Sequence, residues 1–233
     1  MTLPPRLGEE PDMSYEIEIF SEGRKWLAGV DEVGRGALAG PVVAAAAVLT
    51  LPLVAYECRG VKDSKILSRI QREHFDEILR SSLPCWSIGE ASVEEIERLN
   101  IRVATLLAMK RAISSLPVVP DFVLVDGRDL IPDIGTEQRA IPSGDKSIFS
   151  IAAASILAKV YRDRLMVSLD EKYRGYSFSK NKGYGTQDHR KGLIEKGLSP
   201  IHRIQFCKTF LSSTRKRSLF PEDNAWTGTS TIS

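Results

Sequence analysis

Residues 26–36 read Trp-Leu-Ala-Gly-Val-Asp-Glu-Val-Gly-Arg-Gly, and this sequence gives the clearest indication of the fold. Its apolar first half predicts a short buried strand over residues 26–31 that ends on an acid. Neighbouring side chains of a regular strand point to opposite faces, so Asp31 and Glu32 can meet at one site only where the strand ends. The glycines flanking Arg35 let the backbone approach a ligand closely, and the arginine can hold a phosphate through two hydrogen bonds.

Three further strands are predicted outward from this stretch. Residues 41–49 are apolar after Pro41, which fits only at a strand's start, and the short connection from the first strand favours an antiparallel pair. Residues 85–90 suit another strand. Residues 122–125 are entirely apolar and are typical of a buried central strand.

Helices are predicted between and after these strands. Ser68 with Gln71 and Ser92 with Glu95 form capping-box patterns, and helical spacing continues from the second box as far as Leu107. Residues 147–170 hold a run of small residues and predict a helix packed closely on a sheet, with its charged face emerging towards the end. Further helix starts are predicted at Thr186 and at Ser199-Pro200. The order indicates an α/β protein with a mixed central sheet, flanking helices and a helical C-terminal extension.

Four acids fall at the ends of these elements. Asp31 and Glu32 close the first strand, Asp126 closes the 122–125 strand, and Asp145 precedes the small-residue helix. Carboxylates gathered at one sheet edge repel each other unless cations neutralise them, and hard oxygen ligands suit Mg²⁺ or Mn²⁺. Two such ions roughly 4 Å apart can hydrolyse a phosphodiester. The alternative for any single acid is a helix cap or a turn former.

Two basic segments are candidates for binding a polyanion. Residues 62–65, Lys-Asp-Ser-Lys, follow a turn and precede a helix, so Lys65 could grip a phosphate. In residues 181–186, glycines flank Tyr184 among lysines, which suits a ring presented to a sugar or a base. The alternatives are a solvated turn and a packed tyrosine. His189 is interpreted as a helix residue, and His202 as a core residue or a phosphate contact.

The bulk composition places few limits on function. The 233 residues suffice for one large domain or two small ones, and 32 basic against 30 acidic residues give a net charge of +2. The three cysteines have no metal-ligand spacing and suggest no disulfide framework, which favours a reducing cytoplasm. Residues 37–56 are long and apolar, but they contain Gly40 and two prolines, so strands are expected there rather than a membrane helix. A soluble, cytoplasmic protein is therefore expected.

The residues already quoted resemble those of bacterial ribonuclease HII, a type 2 ribonuclease H. The resemblance runs from about residue 26 to about residue 206 in six ordered blocks. The blocks are residues 29–45 (Gly-Val-Asp-Glu-Val-Gly-Arg-Gly, then Gly-Pro-Val-Val-Ala-Ala), 63–68 (Asp-Ser-Lys, then Leu-Ser), 125–127 (Val-Asp-Gly), 144–163 (Gly-Asp-Lys-Ser to Arg-Asp), 182–189 (Lys-Gly-Tyr-Gly-Thr, then His) and 202–203 (His-Arg).

This resemblance implies a ribonuclease H-like fold and a two-ion Mn²⁺ or Mg²⁺ site made by Asp31, Glu32, Asp126 and Asp145. It also implies substrates: RNA–DNA hybrids and DNA duplexes with embedded ribonucleotides, cut 5′ of the ribonucleotide. In this family the segment matching Gly34, Arg35 and Gly36 reads the 2′-hydroxyl, and the tyrosine matching Tyr184 packs on the neighbouring deoxyribose.

The chain departs from the family at two basic positions. Ile66 stands where a second lysine is common, and Ser143 stands where a basic residue often precedes the Gly-Asp pair; both weaken the expected grip on phosphate. The related ribonuclease HIII usually has Gly-Lys-Gly at the positions of residues 34–36 and an extra N-terminal domain, so ribonuclease HII fits better. A ribonuclease HIII-like enzyme and a non-catalytic nucleic-acid-binding module are the alternatives.

Four regions are expected along the chain. They are a loose lead-in (residues 1–20), a catalytic domain (21–175), a helical substrate-binding region (176–215) and a flexible tail (216–233). Within the tail, Lys216-Arg217-Ser218-Leu219-Phe220 loosely resembles peptides that bind sliding clamps, which indicates a weak clamp contact; a solvated basic tail is the alternative. A monomer is expected.

Overall fold

A five-stranded mixed sheet forms the centre of the computed structural model, which describes residues 11–52, 60–61 and 64–208. The strands are β1 (Leu27–Val33), β2 (Val42–Leu49), β3 (Cys85–Ala91), β4 (Phe122–Asp126) and β5 (Glu137–Ile141), in the order β3-β2-β1-β4-β5. β1 pairs antiparallel with β2 and parallel with β4. The predicted mixed sheet and antiparallel pair are therefore confirmed. β5 was not predicted, because Glu137, Gln138 and Arg139 give this parallel edge strand no apolar pattern.

Seven α-helices with both ends among the described residues surround the sheet. They are α1 (Ser14–Ser21), α2 (Arg69–Ser82), α3 (Val93–Leu99), α4 (Ile101–Ser114), α5 (Phe149–Lys172), α6 (Phe178–Asn181) and α7 (Gln187–Lys196). Both predicted capping boxes form, at Ser68 and at Ser92. The single helix predicted to run from Ser92 through Leu107 is wrong. Asn100 adopts φ +69° and caps α4 by accepting hydrogen bonds from two amides, so two helices meet there.

α5 lies directly against the central strand. A Cβ atom on Gly29 of β1 would sit 2.2 Å from the carbonyl carbon of Ser150, so only glycine permits this approach. Small residues on the first half of α5, among them Ala152 and Ala153, are fully buried against the sheet. α4 covers the opposite face with a second apolar cluster. The sheet is thus held between two helical layers, and its strands carry the acids at the edge where β4 ends.

The N-terminal lead-in is shorter than predicted, because Ser14–Ser21 is a helix docked on the core. Tyr15, Ile19 and Phe20 are buried in the same cluster as α5. Glu16 is fully buried, and its Oε1 accepts a hydrogen bond from the Ser150 amide at 2.7 Å in the first turn of α5. Burial raises the pKa of Glu16 to about 7. The sequence did not predict this helix, because its four apolar residues in eight show no clear helical spacing.

The C-terminal residues pack into a third cluster with the connection between β1 and β2. Ala39, Met166, Tyr176, Phe178 and Leu193 are buried together there, which confirms a helical C-terminal part. The helix start predicted at residues 199–200 is wrong: these residues form a turn, and helical residues begin at 204. The boundaries predicted at residues 175 and 215 stay predictions, and the tail lies outside the described residues.

No helix in the described ranges is both long and apolar enough to cross a membrane. The apolar run from residue 37 contains β2, as predicted, although residues 53–56 of that run lie outside the described part. Cys85 and Cys207 are free thiols.

Candidate active site

Three of the four predicted acids meet at the end of β4. Asp31, Glu32 and Asp126 each offer a carboxylate oxygen, and these oxygens all lie within 4.8 Å of one another. The register explains the meeting: Val30 of β1 lies beside Val125 of the parallel strand β4, so Asp31 falls beside Asp126. Contrary to the prediction, Asp31 and Glu32 do not end their strand, which continues to Val33. They converge because β4 stops while β1 continues, which leaves the flank of β1 open.

Asp31 and Glu32 reach the site from different faces of the sheet. Asp31 is buried on the α5 side, where the nearby Ser155 hydroxyl favours its charged form. Glu32 lies on the α4 side, in a small cavity that it shares with Asp126 and Met109. The side chain of Glu32 is longer than that of Asp31, which lets its carboxylate reach around β1 to the same site.

Asp145 lies at the same edge but outside the group of three. It is buried in a short 3-10 turn over Gly144–Lys146, and its Oδ2 accepts a hydrogen bond from Lys65 Nζ at 2.6 Å. The preceding Gly144 amide donates to Asp126 Oδ1 at 2.7 Å, which ties the turn to the strand end. The structure therefore brings all four predicted acids and Lys65 to one edge of the sheet.

Burial and the repulsion of neighbouring charges raise the pKa of Asp31 and of Asp126. Burial raises the pKa of Asp31 well above its usual range, and the nearby charges of Glu32 and Asp126 raise it further. Burial, followed by the charges of Asp145 and Glu32, raises the pKa of Asp126 to about 6, although the Gly144 amide opposes the shift. The protein alone does not neutralise this cluster.

The donor set fits a hard divalent cation. Every oxygen that the cluster presents is a carboxylate oxygen, the ligand that Mg²⁺ and Mn²⁺ prefer. The raised pKa values of Asp31 and Asp126 are what a site short of positive charge should show. Asp31, Glu32 and Asp126 could hold one ion between them.

The segment Gly34-Arg35-Gly36 borders this site. Gly34 adopts φ +94°, a conformation that favours glycine. Arg35 is half exposed, and its Nη1 donates to Glu32 Oε1 at 3.1 Å. A Cβ on Gly36 would meet nothing within 4 Å, so the backbone there faces open space. The open space at Gly36 would permit the close approach of a ligand to the backbone, and that approach itself stays a prediction.

The half-buried Tyr184 lies on a loop that contacts the residues following that segment. The Gly183 carbonyl accepts a hydrogen bond from the Leu38 amide at 2.8 Å, which joins the loop to the connection after β1. The Arg162 guanidinium lies 5.6 Å from the centre of the Tyr184 ring. Of the predicted substrate-binding residues, Arg35 and Lys65 contact acids of the site, and Tyr184 is joined through its loop to the connection that follows Arg35; their binding roles stay predictions. Lys62 and Asp63 lie outside the described residues.

A chain of hydrogen bonds through His202 and His189 connects Ser199 to the main-chain carbonyl of Tyr184. Ser199 N donates to His202 Nδ1 at 2.8 Å, the two histidine Nε2 atoms are 3.0 Å apart, and His189 Nδ1 is 3.0 Å from the Tyr184 carbonyl. Because a carbonyl only accepts, His189 must donate through Nδ1, and His202 must then donate through Nε2. Both rings are neutral in this arrangement. Burial lowers the pKa of both histidines, that of His202 to about 4. His202 is thus a core partner, the first of its two predicted roles.

Comparison with known proteins identifies the family. The model of the ribonuclease HII family matches residues 28–209. A ribonuclease HII from Synechocystis is 49% identical over 188 residues, which cover 80% of this chain and 99% of that one. The chain belongs to the ribonuclease HII family. It is a ribonuclease H enzyme, and the family assignment supports activity on RNA–DNA hybrids.

Solved structures agree with this assignment. Ribonuclease H2 from Pyrococcus horikoshii superposes with a TM-score of 0.69 at 28% identity, over 82% of this chain and 99% of that one. The ribonuclease HII of Archaeoglobus fulgidus, solved as a complex with PCNA, gives a TM-score of 0.64 at 27% identity over 78% of this chain and 94% of that one. The predicted ribonuclease H-like fold is confirmed.

Two arginines at this ribonuclease HII site were not predicted to have a role. Both belong to blocks that resemble ribonuclease HII, Arg162 at the end of residues 144–163 and Arg203 in residues 202–203, but the sequence alone assigns a role to neither. Both are fully buried. No sequence signal distinguishes them from surface arginines, because their partners are main-chain carbonyls supplied by distant segments.

Proposed function

We propose that this enzyme hydrolyses the RNA strand of RNA–DNA hybrids and also cuts on the 5′ side of ribonucleotides embedded in duplex DNA. The products would carry a 3′-hydroxyl and a 5′-phosphate. The observation that carries the proposal is the clustering of Asp31, Glu32 and Asp126 within 4.8 Å of one another, beside the loops of Arg35 and Tyr184. A carboxylate cluster beside an exposed backbone segment and an aromatic ring suits a nuclease that reads a sugar.

Asp31, Glu32, Asp126 and Asp145 would hold a pair of Mg²⁺ or Mn²⁺ ions. When bound, such ions supply Lewis acidity at the phosphate and lower the pKa of a coordinated water. The protein contributes the placement of the carboxylates: the Ser155 hydroxyl orients Asp31, and the Gly144 amide orients Asp126. Because both contacts come from α5 or its leading turn, one helix fixes two of the four acids.

The substrate would be read by groups around the acids. The backbone of Gly34, Arg35 and Gly36 would contact the 2′-hydroxyl, the group that distinguishes RNA from DNA. The Tyr184 ring would pack on the adjacent deoxyribose. Lys65, whose side chain is 71% exposed, would contact a phosphate beside the acids.

This activity would serve the removal of ribonucleotides from DNA and of RNA primers during replication. We place the enzyme in the cytoplasm, which the free thiols of Cys85 and Cys207 support. We also propose that it acts as a monomer, which size-exclusion chromatography with light scattering would test. A dimer would contradict that proposal without affecting the catalytic one.

A weak contact with a sliding clamp through residues 216–220 is also part of the proposal. The related Archaeoglobus fulgidus protein was solved in complex with PCNA, which supports the idea. The segment lies outside the described residues. Deleting residues 216–233 should weaken binding to a purified clamp without changing cleavage of a short duplex. Unchanged clamp affinity would contradict this part.

The substrate range is tested with two duplexes. One carries a single ribonucleotide in DNA, and the other is a long RNA–DNA hybrid. The proposal predicts cleavage of both by the wild-type enzyme, with a nick 5′ of the single ribonucleotide and ends that a polymerase can extend. Cleavage of the hybrid alone would favour a ribonuclease HIII-like enzyme. No cleavage of either would favour the non-catalytic binding module.

A further inference from the structure

Two fully buried arginines lie beneath the segments that border the acidic site. Arg162 belongs to α5, and Arg203 directly precedes the helical residues 204–208. Within residues 11–52, 60–61 and 64–208, all hydrogen bonds of both guanidinium groups go to main-chain carbonyls. These carbonyls belong to the connection between β1 and β2 and to the Tyr184 loop.

Arg203 sets the direction of one peptide in the Gly-Arg-Gly segment. Its Nη1 donates to the Arg35 carbonyl at 2.9 Å, and its Nε donates to the Gly40 carbonyl at 2.9 Å. In a trans peptide the N–H points opposite to the C=O, so the inward Arg35 carbonyl turns the Gly36 N–H outward. That N–H has no acceptor among the described residues, and a Cβ on Gly36 would face open space. It is a donor directed at the substrate side.

Arg162 joins the same segment to the Tyr184 loop. Its three nitrogens donate to the carbonyls of Pro41 at 3.0 Å, Ala39 at 3.1 Å and Lys182 at 2.8 Å. The guanidinium also packs on Gly34, where a Cβ would lie 2.2 Å from its Nε. One side chain thus contacts both segments and fixes the distance between them.

A contribution to the stability of the fold does not explain why these two guanidinium charges are buried. Neither guanidinium hydrogen-bonds a carboxylate among the described residues, and Arg203 Nη2 has no acceptor there. Burial, followed by the neighbouring charge of Arg162, lowers the pKa of Arg203 to about 9. Buried charges without an acidic partner are costly and occur most often where function requires them. The pair also places positive charge beneath a surface proposed to bind a polyanion.

We propose that Arg162 and Arg203 are positioning residues that set substrate specificity by holding the 2′-hydroxyl-reading segment and the Tyr184 loop in one register. This inference rests on the proposed cleavage at embedded ribonucleotides. A junction must satisfy both segments at once, since the ribose and the deoxyribose are adjacent. A long hybrid offers no deoxyribose in the cleaved strand, so the register of the two loops matters less there.

The test is the ratio of kcat/KM on a single embedded ribonucleotide to kcat/KM on a long hybrid. Arg162→Lys and Arg203→Lys keep the charge but lose the fork that binds two carbonyls at once. Each should lower the ratio by about 10-fold or more, since displacement near 1 Å costs up to about 10²-fold in rate. Arg139→Lys is the control: Arg139 is an exposed residue of β5 that hydrogen-bonds Tyr15, and none of its contacts in the described part of the chain is with either loop. It should leave the ratio unchanged.

Thermal unfolding of each variant separates specificity from stability. If both lysine variants fail to fold, Gly183→Ala makes the same comparison, because its Cβ would lie 2.4 Å from the Ala39 oxygen and force the segments apart. An unchanged ratio in folded variants would overturn the inference while leaving the proposed function intact. A wild-type enzyme that does not cut the single-ribonucleotide duplex would instead overturn the proposed function.

Discussion

Lys65 Nζ lies 2.6 Å from Asp145 Oδ2, so a lysine side chain that is 71% exposed contacts a carboxylate that is 2% exposed. The lysine thus covers the one acid of the four that lies outside the closest cluster. It faces solvent where a phosphate would approach, which a purely structural ion pair would not require. This contact links the proposed phosphate-binding residue to the proposed metal site.

Lys65→Met should weaken the binding of nucleic acid to a similar extent whatever the nucleotide sequence. Losing one phosphate contact should lower the slope of log K against log salt by about 1. The measurement is duplex affinity by fluorescence anisotropy across a salt series. Lys110→Met is the control, because Lys110 lies on α4 and pairs with the exposed Asp133 at 3.4 Å. An unchanged slope for Lys65→Met would exclude a phosphate contact.

Gly36→Ala should impair activity without impairing folding. The added methyl meets nothing within 4 Å in the protein, so the free energy of unfolding should change by no more than about 0.5 kcal/mol. In a complex the methyl would occupy the space proposed for the ribose, and kcat/KM should fall by about 10²-fold. Gly34→Ala provides the contrast, since its φ of +94° and its contact with Arg162 predict lost stability as well. Full activity of folded Gly36→Ala would contradict the proposed approach of the ribose.

The buried histidine pair should make stability fall in acid. Both folded pKa values lie below the ordinary 6.5, that of His202 at about 4. The unfolded chain therefore binds protons first, and the stabilisation present above pH 6.5 is lost as the pH falls towards 4, by up to roughly 1.4 kcal/mol per pH unit for each ring. His202→Gln removes one titrating ring, so its stability deficit should shrink between pH 7 and pH 5. Urea unfolding at several pH values measures this, and parallel curves for the two proteins would contradict it.

The sequence predicted the sheet and the acids because both depend on local patterns. Apolar runs ending in Asp31 and Asp126 identified two strands, and capping boxes identified α2 and α3; the parallel pairing of the two strands came from the structure. It failed at Asn100 and at residues 199–200, where a side chain adopted a local hydrogen bond that competes with the continuous helix. The α1 helix and the arginines under the site depend on contacts with distant segments, such as Glu16 with Ser150, which no local pattern encodes.

We propose that the acids at the end of β4 form a metal-dependent catalytic site. The most direct test is cleavage of a DNA duplex carrying one ribonucleotide, with Mg²⁺, with Mn²⁺ and with chelator, by the wild type and by Asp126→Asn. We predict a metal-dependent nick 5′ of the ribonucleotide that chelator abolishes and that the substitution reduces by at least about 10³-fold. Undiminished cleavage by folded Asp126→Asn, or cleavage in chelator, would contradict the claim.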